Sequence, residues 1–469
     1  MTALMVQGVS SSAGKSLVTT ALARALRRRG VDVVPFKAMN MSNNARVVAG
    51  GEIGTAQYLQ ALAAGVEPDV RMNPVLVKPE GDARSQVVVL GRPDFRLSKL
   101  PWRERSCHLW PPVATALAEL LEEHELVLIE GAGSPAEINL RDTDLANMRT
   151  AAAADARVLL VADIDRGGAF AHLYGTWALL LEDERSRIAW FVLNKFRGDP
   201  SLLDPGPATL RELTGVPTLG LLPWLEHGLP DEDGAAEPAT PSSAALTVAV
   251  IRYPTASNLD EFKPLELLGV LRWAREPGEL KDAELVVLPG SKHVAADLGW
   301  LYRTGLAEEV RRRAARGQAV LGICGGMQML GERLDNDGGA GGSIGGLGLL
   351  GLRTTFEPRK RTERTTVTFA PMIAPWAALS GLEISGYEIR HGRTETTRPV
   401  SRALPEGLGY ADGPILGIYL HGAFESTALV RALLGRAPSR SLEQALDELG
   451  DAAEAHLSLD ALLATKAAA

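Results

Sequence analysis

Short apolar runs alternate with amphipathic stretches through the first half of the chain. Residues 4–7, 31–36, 125–130, 157–164, 188–196 and 218–222 are apolar and β-rich, and read as buried strands. Between them, residues 15–29, 111–123, 168–181 and 208–214 carry apolar positions at helical spacing. Alternation of this kind predicts a parallel sheet with helices on both faces. The pattern stops at HGLPDEDGAAEPATPSSAA, which is polar, aperiodic and rich in Pro, Ala and Ser, and which predicts a linker at 229–245. A second series follows, with strands at 247–253, 284–289 and 319–324 and helices near 259–268 and 305–316. Residues 365–369, 386–394 and 415–420 read as strands of a more mixed sheet, and the Ala/Leu/Glu-rich tail after residue 434 as helical. The predicted division is a first domain at 1–228, the linker, a second α/β domain at 246–434 and a helical tail at 435–469.

The 469 residues are enough for two or three domains at roughly 150 residues each. Hydrophobic residues make up 46% and charged residues 23%, which excludes a disordered, collagenous or disulfide-built chain. A net charge of −8 argues against broad contact with nucleic acid or an anionic membrane, while leaving room for a local basic pocket. The two cysteines, Cys107 and Cys324, are far apart and fit a reducing cytoplasm. Apolar runs are strand-sized, well short of the roughly 18 residues of a membrane span. The first residues lack a basic region, so no signal peptide is expected.

Two segments carry chemistry. The first is GVSSSAGKS, from Gly8 to Ser16, between a strand and a helix. Backbone N–H groups of such a loop cradle phosphates, with Gly14 and Ser12 in the loop, Lys15 reaching the β- and γ-phosphates and Ser16 binding Mg²⁺. Five residues separate Gly8 from Gly14, one more than in the common P-loop, a length that resembles dethiobiotin synthetase and its relatives. Lys37 and Glu130 end neighbouring strands, where they would meet the γ-phosphate and the metal. Asp163 and Asp165 end another, and either hold Mg²⁺ through water or cap the following helix. Asn194 and Lys195, in FVLNKFRGD, resemble the adenine-contacting strand end of that superfamily. The glycine-rich stretch at 338–351 follows no strand and has no Gly-Lys pair, and reads as a flexible loop leading into a strand.

The second segment is LGICGGMQML, where an apolar strand ends at Ile323, Cys324 sits on the turn and a helix begins. This is a nucleophile elbow. A helix N-terminus favours the thiolate, and the Gly325 N–H, with a second donor from Gly290 in the PGS turn, would face an oxyanion. His421, in GIYLHGAFE, is the candidate base. Cys then His is the order of class I glutamine amidotransferases. The acid those enzymes usually carry two residues after the His is replaced here by Ala423, so a Cys–His dyad is expected, with Glu425 a weak alternative for orienting the ring.

Taken with PFKAMNMSNN, GGEIGTAQ, MNPVLVKP, EGAGSPAEINLRDTDLANM, DIDRGGAF, PGSKHVAADLGWL and YLHGAFE, the chain resembles the cobyric acid synthase family over about residues 1–434. The resemblance implies an α/β fold of two parts: an N-terminal P-loop, dethiobiotin synthetase-like, parallel-sheet domain followed by a class I glutamine amidotransferase domain. It implies a ligase that uses ATP and Mg²⁺, takes ammonia from L-glutamine at Cys324, and amidates the b, d, e and g carboxylates of adenosylcobyrinic acid a,c-diamide. Asn40, Ser42, Asn43, Arg46, Arg71 and Asn73, with Lys78, would form the acceptor pocket, and ammonia would cross an enclosed path between domains. Cobyrinic acid a,c-diamide synthase shares both domains and is the alternative; the MSNN and MNPVL segments favour the first. One departure lies at GYEIRHGRT, where Arg390 stands at the family's usual His position and His391 follows.

Overall fold

The computed structural model describes residues 2–81, 84–230, 246–336 and 342–464. Most of the predicted linker, 231–245, and part of the glycine-rich stretch, 337–341, lie outside them.

All six apolar runs of the first half become strands of one parallel sheet. Its order is Thr218–Pro223, Ile188–Phe196, Arg157–Asp163, Ala3–Gly8, Leu126–Glu130, Val33–Phe36. Helices cover both faces, because strands buried on both sides offer no polar face to water. The helix expected to start at Pro111 instead runs from Trp102 to Glu123, through Pro111 and Pro112, with Pro111 exposed. Between Phe36 and Trp102 the chain makes an excursion that the pattern did not reveal. A small sheet (Met39–Met41, Val75–Gly81, Arg84–Val89, Arg92–Asp94) and the hairpin Ala45–Val48/Gly51–Gly54 are built over the C-terminal ends of the strands.

The second sheet runs Leu271–Ala274, Val248–Ile251, Leu285–Leu288, Ala319–Ile323, Ile415–Ile418, Gly409–Asp412, Ser401–Leu404. The first five strands are parallel and the last two antiparallel. A long antiparallel hairpin, Leu352–Thr368 with Glu383–Thr396, projects from this domain toward the first. Arg364 of the hairpin reaches Glu67, and Lys360 pairs with Glu52.

The tail is helical, as its composition predicts, but it does not extend the second domain. Leu442–His456 and Leu459–Ala464 return to the first sheet, where Leu446, Leu449, Ala453 and Leu462 are buried beside the helix Lys15–Arg28. Arg24 and Arg28 of that helix pair with Asp447 and Asp451 at 2.6–2.7 Å. Among the described residues, no helix is long and apolar enough to cross a membrane.

Candidate functional site

The phosphate loop is wound by backbone conformations that few residues adopt. Gly14 has φ 100° and Ser12 φ 59°. A Cβ on Gly14 would lie 2.0 Å from Asn194 Nδ2, so the position demands glycine on both counts. Asn194 and Lys195 brace the loop from the neighbouring strand end: Asn194 Nδ2 donates to Ala13 O at 3.0 Å and Lys195 Nζ to Ser12 O at 2.8 Å. Lys15 lies across the loop, donating to Ser10 O and Gly133 O at 3.0 and 2.9 Å. Gly8 ends the central strand beneath it.

Glu130 is the hub of this site and is fully buried. It accepts from Ser16 Oγ at 2.9 Å and from Lys37 Nζ at 2.8 Å, and its other oxygen accepts from Gln60 Nε2. Gln60, on the helix Thr55–Ala64, carried no sequence motif. Asp163 and Asp165 are taken up differently. Asp163 pairs with Lys195 at 2.8 Å and Arg166 at 3.4 Å, its Oδ1 accepts from the Asp165 N–H, and Asp165 faces Arg197 at 3.5 Å. Both carboxylates thus face loop cations.

The residues expected to form the acceptor pocket divide. Asn40 donates to Gln57 Oε1 at 2.9 Å, and buried Asn43 Oδ1 and Gln57 Nε2 have no protein partner. Such orphaned groups fit a polar ligand. Ser42 caps its own turn, its hydroxyl accepting from Asn44 N at 3.0 Å. Asn73 donates to Lys37 O and Val75 O and accepts from Gly54 N, so it ties backbone segments together and has little left for a ligand. The two arginines of the set both meet protein carboxylates. Arg71 lies on the outer surface, held by Asp69, Glu119 and Glu123. Arg46 is buried in the contact with the second domain, where Asp260 and Glu425 hold it at 2.6 and 2.5 Å. Both have their guanidinium charge matched by protein carboxylates. Lys78 is likewise buried against Glu52, beside Lys360, and desolvation with those neighbouring ammonium groups depresses its pKa well below the ordinary lysine range.

In the second domain, Cys324 follows the strand Ala319–Ile323 and precedes the helix Gly325–Leu330, with φ 50° and ψ −106°. A non-glycine residue held in this region is strained, as the nucleophile of a strand-to-helix elbow is. The helix sits so close to the sheet that a Cβ on Gly326 would lie 1.9 Å from Leu288 O. The PGS turn comes alongside. A Cβ on Gly325 would lie 2.8 Å from Ser291 N, and one on Gly290 would lie 2.7 Å from His421 Cε1. The structure therefore brings Gly290, Gly325, Cys324 and His421 together. Asp297 fixes the turn by accepting from Ser291 Oγ and Thr255 Oγ1, both at 2.6 Å.

An acid that the sequence reading missed completes this group. His421 Nδ1 faces Glu261 Oε1 at 2.8 Å, and Glu261 Oε2 accepts from Gly422 N at 2.9 Å. Glu261 is fully buried on the short 3₁₀ turn Leu259–Phe262. The expected dyad thus has a third member, and Glu425 faces Arg46 rather than the imidazole. Burial alone would lower the His421 pKa; the Glu261 carboxylate and the Cys324 sulfur outweigh it and push the imidazole up to about 10. The imidazole beside the thiol is therefore charged at neutral pH.

The long hairpin roofs the thiol. Cys324 Sγ lies 3.5 Å from Ile389 O, and Gln328 Nε2 donates to His391 O at 3.2 Å. The departure noted at Arg390–His391 resolves as follows. Arg390 pairs with Glu388 at 2.6 Å and stacks 3.9 Å over the Tyr419 ring. The His391 ring turns away to Glu357 O at 3.3 Å, and burial and Lys360 hold it at about 4, so it is neutral at pH 7. Cys107 is exposed on its helix, with no such surroundings.

Comparison with known proteins agrees with this two-site arrangement. Residues 4–229 match the CobQ/CobB/MinD/ParA nucleotide binding domain, and residues 247–429 the CobB/CobQ-like glutamine amidotransferase domain. Over nearly the whole length the chain is similar to proteins described as cobyric acid synthase. Identity is 52% to that of Polaromonas sp. (strain JS666) and 53% to that of Variovorax paradoxus, over 98% of both chains in each case. It is 55% to that of Paracidovorax citrulli, over 95% of both. The chain belongs to the cobyric acid synthase family.

Proposed function

We propose that the chain amidates the b, d, e and g carboxylates of adenosylcobyrinic acid a,c-diamide, in the cytoplasm, using ATP and L-glutamine. Cys324 attacks the glutamine amide carbon. The tetrahedral oxyanion faces the N–H groups of Gly325 and Gly290, and the imidazolium of His421 gives its Nε2 proton to the departing ammonia. Water then cleaves the thioester, releasing glutamate and restoring the thiolate. At the other site a corrinoid carboxylate oxygen attacks the γ-phosphorus of ATP and ADP leaves. Ammonia attacks the acyl phosphate carbon, and inorganic phosphate leaves in its place. Phosphorylation is required because a carboxylate has no adequate leaving group. Lys15 and Lys37 would neutralise charge on the transferring phosphoryl group. The hydroxyl of Ser16 and the carboxylate of Glu130, 2.9 Å apart, are hard oxygen donors that suit Mg²⁺, which would screen the phosphate charge there.

The observation that carries this reading is the coexistence, in one chain, of a braced phosphate loop and a buried Cys324–His421–Glu261 group. The Cys324→Ala variant tests it. Synthesis with glutamine should vanish while synthesis with ammonium salts continues, improving with pH as NH₃ replaces NH₄⁺. Product mass on a,c-diamide substrate should rise by up to four single amide steps. Normal turnover of glutamine by Cys324→Ala, or no amide gain on this acceptor by the wild type with ATP and glutamine, overturns it.

A further inference from the structure

Arg46 belongs to the first domain by sequence, yet its side chain lies against the histidine–acid pair of the second. Its Nη2 meets Asp260 Oδ2 at 2.6 Å and its Nη1 meets Glu425 at 2.5 Å and Tyr387 Oη at 3.2 Å. Asp260 immediately precedes Glu261, and both are buried on one 3₁₀ turn. Tyr387 stacks on His421, ring centroids 5.6 Å apart, and the two residues exchange backbone hydrogen bonds at 2.9 and 3.1 Å. Two further bonds clamp the same turn from the first domain: Asn44 Oδ1 accepts from Leu259 N at 3.1 Å, and Ala45 O accepts from Asn258 Nδ2 at 3.0 Å.

Two neighbouring carboxylates in a buried turn repel one another unless a cation compensates. Glu261 can orient His421 only while the turn holds its carboxylate against Nδ1. We propose that Arg46 is a positioning residue for glutamine hydrolysis: by matching the charge of Asp260 and bracing Tyr387, it keeps Glu261 aligned on His421 from across the domain boundary. Arg46 does not touch glutamine in this role, so its loss should appear in kcat and not in KM. The inference rests on the assignment of Cys324 and His421 to glutamine hydrolysis.

The test compares glutamine hydrolysis and ammonium-driven synthesis in the full-length protein. Arg46→Met should lower glutaminase kcat tenfold or more, with KM for glutamine within twofold of wild type. Its ammonium-driven synthesis should fall far less. Adding Asp260→Asn to Arg46→Met removes the uncompensated charge adjacent to Glu261, leaving the half-exposed Glu425, and should bring kcat back to within about threefold of wild type. Arg46→Lys can satisfy one carboxylate but not both, and should lose threefold to tenfold in kcat. It carries the test should Arg46→Met fail to fold. A normal kcat in Arg46→Met or Arg46→Lys overturns the proposal, as does an equal loss with glutamine and with ammonium, or a double variant no better than the single one. A wild-type protein without glutaminase activity overturns both this inference and the proposed function, whereas an active wild type with a normal Arg46→Met overturns this inference alone.

Discussion

Replacing Glu261 by Gln preserves shape and removes the charge facing His421 Nδ1 at 2.8 Å. Two unit charges at that distance attract by about 6 kcal/mol at an effective dielectric of about 20. At about 1.4 kcal/mol per unit this is roughly four pKa units. His421 stands at about 10, against a burial effect that pulls it down, so the variant imidazole should return to about 6. Its charged fraction at pH 7.5 then drops from nearly complete to about 3%, and glutaminase kcat/KM should fall roughly thirtyfold if the thiolate–imidazolium pair is the reactive form. A Gln side chain that donates to Nδ1 would also favour the wrong tautomer and deepen the loss. The assay is kcat/KM for glutamine hydrolysis from pH 5.5 to 9.5, with ammonium-driven synthesis as the control for folding. The alkaline limb should move down by several units in the variant. Stability follows the same sign. His421 is raised above its ordinary 6.5, so its contribution is complete below that pH and is lost as pH rises through about 10. Wild type should therefore lose more Tm than Glu261→Gln between pH 7 and 10. An unshifted pH profile with unchanged kcat/KM in Glu261→Gln would refute the assignment.

Three more outcomes can be checked directly. Lys37→Ala, which removes the 2.8 Å partner of Glu130, should lower kcat for ammonium-driven synthesis at least tenfold with a smaller change in ATP affinity; an unchanged kcat would leave Lys37 a strand-end residue only. Lys292, depressed to about 8 by burial and by Lys360, destabilises the folded state fully below pH 8 and not at all above about 10.5, so Lys292→Met should raise Tm at pH 7 and gain progressively less toward pH 10, as thermal melts would show. Leu449→Ala in the returning tail should cost about 2–5 kcal/mol and lower ATP-dependent activity through loss of the folded first domain; an unaltered denaturation midpoint would mean the tail docks without contributing.

The parallel strands were legible because buried strands announce themselves as short apolar runs. The elbow was legible because a thiol after such a run and before paired glycines has few other readings. Glu261 was not: it sits 160 residues before His421 on a single 3₁₀ turn, and no periodicity marks a residue whose meaning is its contact with another segment. The partners of Arg46 and Arg71 were hidden for a related reason. Their charge suggested an anionic ligand, while the fold supplies carboxylates from Asp260, Glu425, Glu119 and Glu123, all distant in sequence. The excursion at 37–101 was missed because four of its strands span only three or four residues, and the longer Val75–Gly81 is broken by Lys78, Pro79 and Glu80. The long hairpin was only partly seen, since charges interrupt Leu352–Thr368, two of which, Lys360 and Arg364, pair with the first domain.

The returning tail makes the nucleotide-binding layer discontinuous, with the amidotransferase domain threaded between its first 230 residues and its last helices. During synthesis the six strands leave the ribosome early, but the outer side of the helix Lys15–Arg28 and the edge strand Thr218–Pro223 stay uncovered by the tail until residues beyond 440 emerge. At about 5–20 residues per second that delay is roughly 10–50 s. The glutaminase half can complete its own core first, so the half that consumes ATP is the last to be finished. Chains cut short by a nonsense codon in the tail would release a folded ammonia source attached to an unfinished ligase, a species for quality control to remove.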